Sequence, residues 1–209
     1  MVKIFQHPLI NAKLTKMRDK NTTHNEFRQN LNEISSLMVY EMLRDYKTKP
    51  LEIESPTGVK FVGEQLDKEI VIVPILRAGL GMVNGILDLV PQARVGHIGM
   101  YRVEETKSIV EYFFKIPDVP KDSYIIIVDP MLATGTSACD AIEKLEHLGF
   151  CNIKLICLVG VEEGINKVKK NHKNVDIYLA SQDKELNKNN YIIPGLGDAG
   201  DRIFGTKIK

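Results

Sequence analysis

Residues 125–145, IIIVDPMLATGTSACDAIEKL, run from an apolar strand into one carboxylate, then a short loop of small and hydroxylated side chains, then a helix. From Tyr124 to Val128 apolar residues do not alternate with polar ones, as expected of a parallel strand covered on both faces. Past the loop, Ala138, Ala141 or Ile142, Leu145 and Leu148 recur at helical steps. Residues 70–76 and 153–159 are equally rich in Ile, Val and Leu, and the first run precedes a helical pattern of Leu80, Val83, Ile86 or Leu87, and Val90. Repeated strand-then-helix units predict an α/β fold, doubly wound around a mainly parallel central sheet. Ligands of such sheets bind beyond the carboxyl ends of the strands, which directs attention to the turns at residues 77–81 (RAGLG) and 129–137 (DPMLATGTS).

Outside these units, Phe27, Leu31, Ile34, Leu37 or Met38, and Met42 place one amphipathic helix within residues 25–46. Residues 51–62 alternate on either side of Ser55-Pro56-Thr57-Gly58, the pattern of a peripheral hairpin with one face covered. The polar stretch 184–190 (KELNKNN) reads as a loop. With 209 residues and 44% hydrophobic content, one domain over residues 1–209 is the economical expectation. Twenty-eight basic against 27 acidic side chains give no broad field for a nucleic-acid backbone. Cys139, Cys151 and Cys157 lack the paired short spacings of a zinc site or a disulfide framework, and no metal cluster is expected. No run approaches the roughly 18 apolar residues of a membrane span, so no membrane partner and a cytoplasmic location are expected.

The loop after the second strand suits a phosphate. Thr134, Gly135, Thr136 and Ser137 combine hydroxyl donors, backbone N–H groups and the positive end of a helix dipole, and Gly135 admits close approach. The competing reading is ordinary helix capping by Ser and Thr with no ligand. Asp129, at the end of a buried strand, is costly unless it is paired or faces a ligand, and sugar hydroxyls are fitting partners. The chain has no G-x-x-x-x-G-K-[ST] sequence, which disfavours nucleoside triphosphate hydrolysis.

At this level of detail residues 128–137 resemble the phosphoribosyl diphosphate (PRPP) motif of type I phosphoribosyltransferases, in the DPMLATG form of the uracil phosphoribosyltransferases. Residues 72–81 (IVPILRAGLG) are similar to that family's diphosphate-contacting loop, and residues 191–206 (YIIPGLGDAGDRIFGT) to its uracil-binding segment. His7-Pro8-Leu9, Gly99-Met100-Tyr101-Arg102 and Glu104-Glu105-Thr106 extend the likeness over most of the chain. The resemblance implies a C-terminal hood over the base and transfer of the phosphoribosyl group of PRPP to uracil N1, giving UMP and diphosphate. It implies PRPP contacts at Arg77, Arg102, Asp129, Pro130, Met131, Leu132, Ala133, Thr134, Gly135, Thr136, Ser137 and Asp198. Uracil contacts fall on Ile192, Gly197, Asp198 and Ala199, and the catalytic load on Asp198, Arg77 and Asp129. Mg²⁺ is expected to be carried mainly by the diphosphate of PRPP, and the family's habits suggest a homodimer or higher homo-oligomer and, in some relatives, a GTP activator.

The sequence departs from the family pattern in places. Thr136 stands where relatives commonly carry a second Gly, and its Cβ restricts the loop. Pro130 replaces a second acid of many type I enzymes, a feature shared by the uracil-specific members. Val103 and residues 107–110 differ from the usual segment after Arg102, which is expected to be a mobile hairpin. The rival of another class is a regulator on the same fold that binds RNA, for which the Lys-rich residues 167–173 (KVKKNHK) are the candidate basic face; their plainer reading is a solvated helix end. Apolar positions in residues 51–62 and 100–114 suggest self-association.

Overall fold

The non-alternating apolar runs occupy the strands of a sheet covered on both faces. A computed structural model describes residues 1–102 and 109–206. Its elements begin with β1 (Val2–Ile4), α1 (Pro8–Arg18), α2 (His24–Met42), β2 (Thr48–Glu54), β3 (Lys60–Leu66), β4 (Ile70–Leu76) and α3 (Leu80–Leu87). There follow β5 (Arg94–Val95), β6 (His97–Arg102), β7 (Ile109–Lys115), β8 (Tyr124–Val128), β9 (Met131–Leu132), α4 (Thr136–His147) and β10 (Ile153–Gly160). The chain closes with α5 (Glu162–Asn171), β11 (Asp176–Gln182), β12 (Glu185–Leu186), β13 (Ile192–Ile193) and α6 (Ala199–Phe204).

The main sheet runs β1-β11-β10-β8-β4-β6-β7, parallel except for the β6/β7 pair. In the centre, Ile70 to Pro74 lie opposite Tyr124 to Val128, and Ile125 to Val128 opposite Ile153 to Ile156. From β4 the chain leaves through α3 toward β6 on one side, and from β8 through α4 toward β10 on the other. The β4/β8 boundary is therefore the point where connections diverge and a crevice opens at the carboxyl ends. One core packs Phe27, Leu31, Ile34 and Met38 of α2, with Met82 and Ile86 of α3, against Ile72, Ile126 and Ile156. The opposite core packs Ala141, Ile142 and Leu145 of α4 and Val168 of α5 against Val73, Ile127 and Leu155. Alternate residues of each central strand thus enter opposite cores, which is why these strands show no polar face.

Several expectations change at this level. The helix expected within residues 25–46 ends at Met42, capped at its start by a Thr23/Glu26 capping box. The 51–62 hairpin forms as β2 and β3, but neither face is covered: Leu51, Ile53, Val59, Phe61 and Val62 are all exposed. Alternation alone cannot reveal whether another surface is present to meet the apolar side. Within the expected loop at 184–190, Glu185 and Leu186 pair with Ile193 and Ile192 and begin the C-terminal hood.

Close approach of β4 and β8 depends on Gly79. A Cβ there would lie 2.4 Å from the carbonyl oxygen of Val128 and 2.8 Å from both backbone N and O of Ile75. Backbone atoms cannot rotate aside as a side chain can, so Gly79→Ala is expected to destabilise the chain by about 2 kcal/mol or more. Urea titration followed by circular dichroism measures this; a loss under about 0.5 kcal/mol, the range of an indifferent surface change, would contradict it.

Candidate active site

Arg77 and Asp129 follow directly on the adjacent strands β4 and β8. Asp129 is half-buried; its Oδ1 accepts a hydrogen bond from the Met131 N–H at 3.2 Å. Burial pushes its carboxyl up to about 7, a rise that this hydrogen bond only partly offsets. The Arg77 side chain, 56% exposed, reaches away from its strand toward the C-terminal segment. A cis peptide joins it to Leu76.

The residues expected in the phosphate loop divide into support and surface. Pro130 is buried and its carbonyl accepts from the N–H groups of Leu158 and Val159, while Met131 and Leu132 pair with Val159 and Gly160 as the short strand β9. The Leu132 side chain lies in the core, so any ligand would meet backbone at that residue. Ala133 and Thr134 are half-buried, Ser137 is exposed, and Gly135 takes the left-handed conformation at φ 74°. No side chain caps the start of α4, leaving its N-terminal turn for another partner. Beneath the loop, a Cβ on Gly164 would come within 2.4 Å of the Ala133 carbonyl oxygen, so α5 is seated directly under it. Thr134 and Thr136 hydroxyls lie 3.2 Å apart, and Lys167 Nζ donates to Thr136 Oγ1 at 2.6 Å.

The C-terminal segment folds back over the crevice. Asp198 caps α6, its Oδ1 accepting from Asp201 N at 2.9 Å. The position a Cβ of Gly200 would take is 3.4 Å from Asp198 Oδ1 and 3.7 Å from Arg77 Nη2, and Arg77 Nη2 is 3.7 Å from Asp201 Oδ1. The Arg77 guanidinium also lies 5.9 Å from the centre of the Phe204 ring. Ile192 and Ala199 are buried, whereas Gly197, at φ 71°, and Asp198 are exposed. The structure brings Arg77 to Asp201 and Gly200, in the turn that Asp198 caps. The Arg102 side chain, Glu104-Glu105-Thr106, Val103 and residues 107–108 lie outside the described residues, whereas Ile109 and Val110, the rest of the altered segment, begin β7 opposite Arg102 and Tyr101.

Residues not singled out from the sequence hold this segment in place. Arg18 Nη1 donates to Asp183 Oδ2 and to the Gly195 carbonyl, each at 2.8 Å, and Nη2 donates to Asp183 Oδ1 at 2.6 Å. Asp183 Oδ2 in turn accepts from Gly195 N at 2.9 Å, so one ion pair grips both polar groups of the Gly195 backbone. Gly195 is obligatory, since a Cβ would lie 2.1 Å from the Ile192 carbonyl oxygen. Arg202 secures the next residue, donating to the Leu196 carbonyl at 2.9 Å and to the Asp19 carbonyl at 2.7 Å while stacking over Phe27. Asp183 immediately follows β11, the same signal that marks Asp129 after β8. That signal was there to be read, but its partner Arg18 is 165 residues away in sequence. Among the described residues no three His, Cys, Asp or Glu side chains converge as a metal site would require.

The uracil phosphoribosyltransferase family model matches residues 4–206. The chain is 76% identical to the uracil phosphoribosyltransferase of Metamycoplasma hominis and 68% identical to that of Metamycoplasma arthritidis, each over all of both chains. Among solved structures, the AQ2163 protein of Aquifex aeolicus superposes with a TM-score of 0.93 at 36% identity over all of both chains. Adenine phosphoribosyltransferase from Trypanosoma brucei shares the fold, with a TM-score of 0.59 at 11% identity over 90% of this chain and 86% of that one. With a family model spanning nearly its whole length and relatives this similar from end to end, the chain belongs to the uracil phosphoribosyltransferase family.

Proposed function

We propose that the crevice between β4 and β8 is where this chain carries out its family's reaction, transfer of the phosphoribosyl group of PRPP to uracil with release of diphosphate. The observation that carries the site assignment is the contact of Arg77, on the turn after β4, with the Asp198–Asp201 turn at the far end of the sequence. It joins a diphosphate-loop residue to the base-binding segment. In the reaction the bond from uracil N1 to ribose C1′ forms as the bond from C1′ to the diphosphate oxygen breaks, its electron pair leaving with diphosphate and the N1 proton being released. Protein groups contribute alignment and charge neutralisation more than covalent chemistry.

In this reading the uncapped start of α4, with Thr134 and Ser137, binds the 5′-phosphate, and Asp129 accepts hydrogen bonds from the ribose hydroxyls. Arg77 neutralises the departing diphosphate, a role shared with Arg102. Mg²⁺ supplies further positive charge when bound. The absence of a three-residue cluster among the described residues is compatible with an ion held chiefly by diphosphate oxygens, which needs few protein ligands. The backbone of Gly197 to Ala199, exposed at Gly197 and Asp198, reads the base edge. Uracil offers an N3–H donor beside an O4 acceptor, and cytosine reverses both. Each unmade buried hydrogen bond costs about 1–3 kcal/mol, enough in combination to reject cytosine. Asp198 in this reading favours loss of the N1 proton.

An RNA-binding role is not supported: the Lys167–Lys173 run does not form one basic face, because Lys167 turns toward Thr136 while Lys169 and Lys170 lie in the last turn of α5. No helix among the described residues is long and apolar enough to cross a membrane, which is compatible with a cytoplasmic location. The uncovered β2/β3 hairpin supports self-association, which sedimentation velocity reads directly.

Asn caps a helix as well as Asp does, so Asp198→Asn should keep α6 while removing the charge. It is expected to lower kcat for UMP formation about 100-fold or more, with uracil, and not cytosine, orotate or hypoxanthine, as the base used by the parent chain. Turnover undiminished in the variant would remove Asp198 from the chemistry.

The pH dependence follows from Asp129. With its folded pKa raised from 3.8 to about 7, the protonated form is favoured by folding; that stability is complete below the unfolded value and is lost as pH rises toward 7. Asp129→Asn should therefore be increasingly stabilised relative to the parent between pH 4 and 7, by at most about 4 kcal/mol. Conversely, the KM for PRPP should rise in the parent as pH falls below about 7 and stay flatter in the variant. A parallel pH dependence of stability in both proteins would contradict the buried-carboxyl account.

Removing the Asp183 carboxylate frees Gly195 and strands Arg18. Asp183→Ala is expected to raise the KM for uracil at least fivefold, while the KM for PRPP changes by less than about twofold. Equal changes in both constants would mean that the clamp supports the whole fold rather than the base segment.

A further inference from the structure

Lys167 belongs to a basic run whose plain expectation was a solvated helix end, yet its ammonium is turned inward against the phosphate loop. Nζ lies 2.6 Å from Thr136 Oγ1, and Thr136 Oγ1 lies 3.2 Å from Thr134 Oγ1. All three side chains are only half-exposed.

The chemistry of the donors gives this chain of atoms a direction. A protonated lysine can only donate, so Thr136 Oγ1 is the acceptor of the first hydrogen bond. The Thr136 hydroxyl hydrogen is then available to the next oxygen within reach, Thr134 Oγ1. With that oxygen accepting, the Thr134 hydroxyl hydrogen is left to donate to a guest at the uncapped start of α4. Both hydroxyls would otherwise be free to rotate and to present lone pairs, which repel an anion. The ammonium also adds a full positive charge close to the loop, where the helix end supplies only a partial one. Asp140, whose carboxyl is pushed up by burial and drawn down by Lys167, shares the field of the same ammonium, but Lys167 makes its hydrogen bond to Thr136.

We infer that Lys167 is a positioning residue for substrate binding, acting through Thr136 to orient the Thr134 hydroxyl toward the 5′-phosphate of PRPP. The inference rests on assigning the 134–137 loop to that phosphate. It gives Thr136 a purpose: a Gly at this position would carry no hydroxyl and could not receive the ammonium, so the lysine and the threonine act as a pair.

Steady-state kinetics of UMP formation tests it, with Lys167→Met, Thr136→Val, the double variant, and Ser137→Ala as a control on the loop itself. Lys167→Met is expected to raise the KM for PRPP about five- to tenfold, while kcat and the KM for uracil stay within about twofold. In the Thr136→Val background the same change should add less than about twofold, because the path is already cut and only the charge of the ammonium is then lost. An unchanged KM for PRPP in Lys167→Met, beside a raised one in Ser137→Ala, overturns the relay and leaves the loop assignment standing. Unchanged values in both overturn the loop assignment and the relay with it. Independent, multiplicative effects of Lys167→Met and Thr136→Val also overturn the relay.

Discussion

The structure depends on the close approach of two parallel strands whose connections leave in opposite directions. β4 and β8 pair residue for residue from Ile70 to Pro74, and the turn after β4 is pressed against the Val128 carbonyl at Gly79, leaving no room for a Cβ. Because α3 departs to one face and α4 to the other, neither of these two connections crosses the end of this pair. The crevice is a consequence of topology, and Arg77 and Asp129 are at its edge because each follows one of the two strands. A sheet wound in a single direction would have covered the same place with a connection.

How the crevice is completed is a separate matter of long-range contacts. The C-terminal segment carries little regular structure, with two-residue strands and a six-residue helix, and could not hold a shape alone. Its geometry comes from charged side chains that use their hydrogen bonds on backbone. Arg18 and Asp183 fix the Gly195 amide and carbonyl, and Arg202 fixes the Leu196 carbonyl. Asp183 is 2% exposed, so its charge requires the bidentate arginine, and the pair in turn fixes the segment just ahead of Gly197 and Asp198. The clamp's hydrogen bonds fall on Gly195 and Leu196, and none goes to the backbone of Gly197 to Ala199.

Much of this was legible in the sequence where local pattern reflects local burial. Strands β4 and β8 begin and end where the unbroken apolar runs do, and the loop from Thr134 to Ser137 opens a helix as its composition suggests. β11 was less legible because its buried Ile177 and Leu179 are flanked by Asp176, Ser181 and Gln182, polar residues typical of strand ends. The support given by Leu132 and Pro130 could not be separated from the ligand-facing surface of the loop, since both roles place small or apolar residues next to Asp129. Composition likewise could not give the exposure of both faces of the β2/β3 hairpin or the inward turn of Lys167. Alternation and charge describe what a residue can do, whereas the neighbour that it meets is set by the topology of the whole sheet.

The central claim is that the loop at the start of α4 and the segment around Asp198 form one site across the β4/β8 boundary. UMP carries a phosphate and a uracil ring in one molecule, and hydrogen–deuterium exchange with and without UMP reads both ends at once. The account requires slowed exchange at the amides of residues 135–138 and of residues 195–199 together, rising with a single affinity. Protection confined to one segment, or appearing at different UMP concentrations in the two, would contradict a shared site.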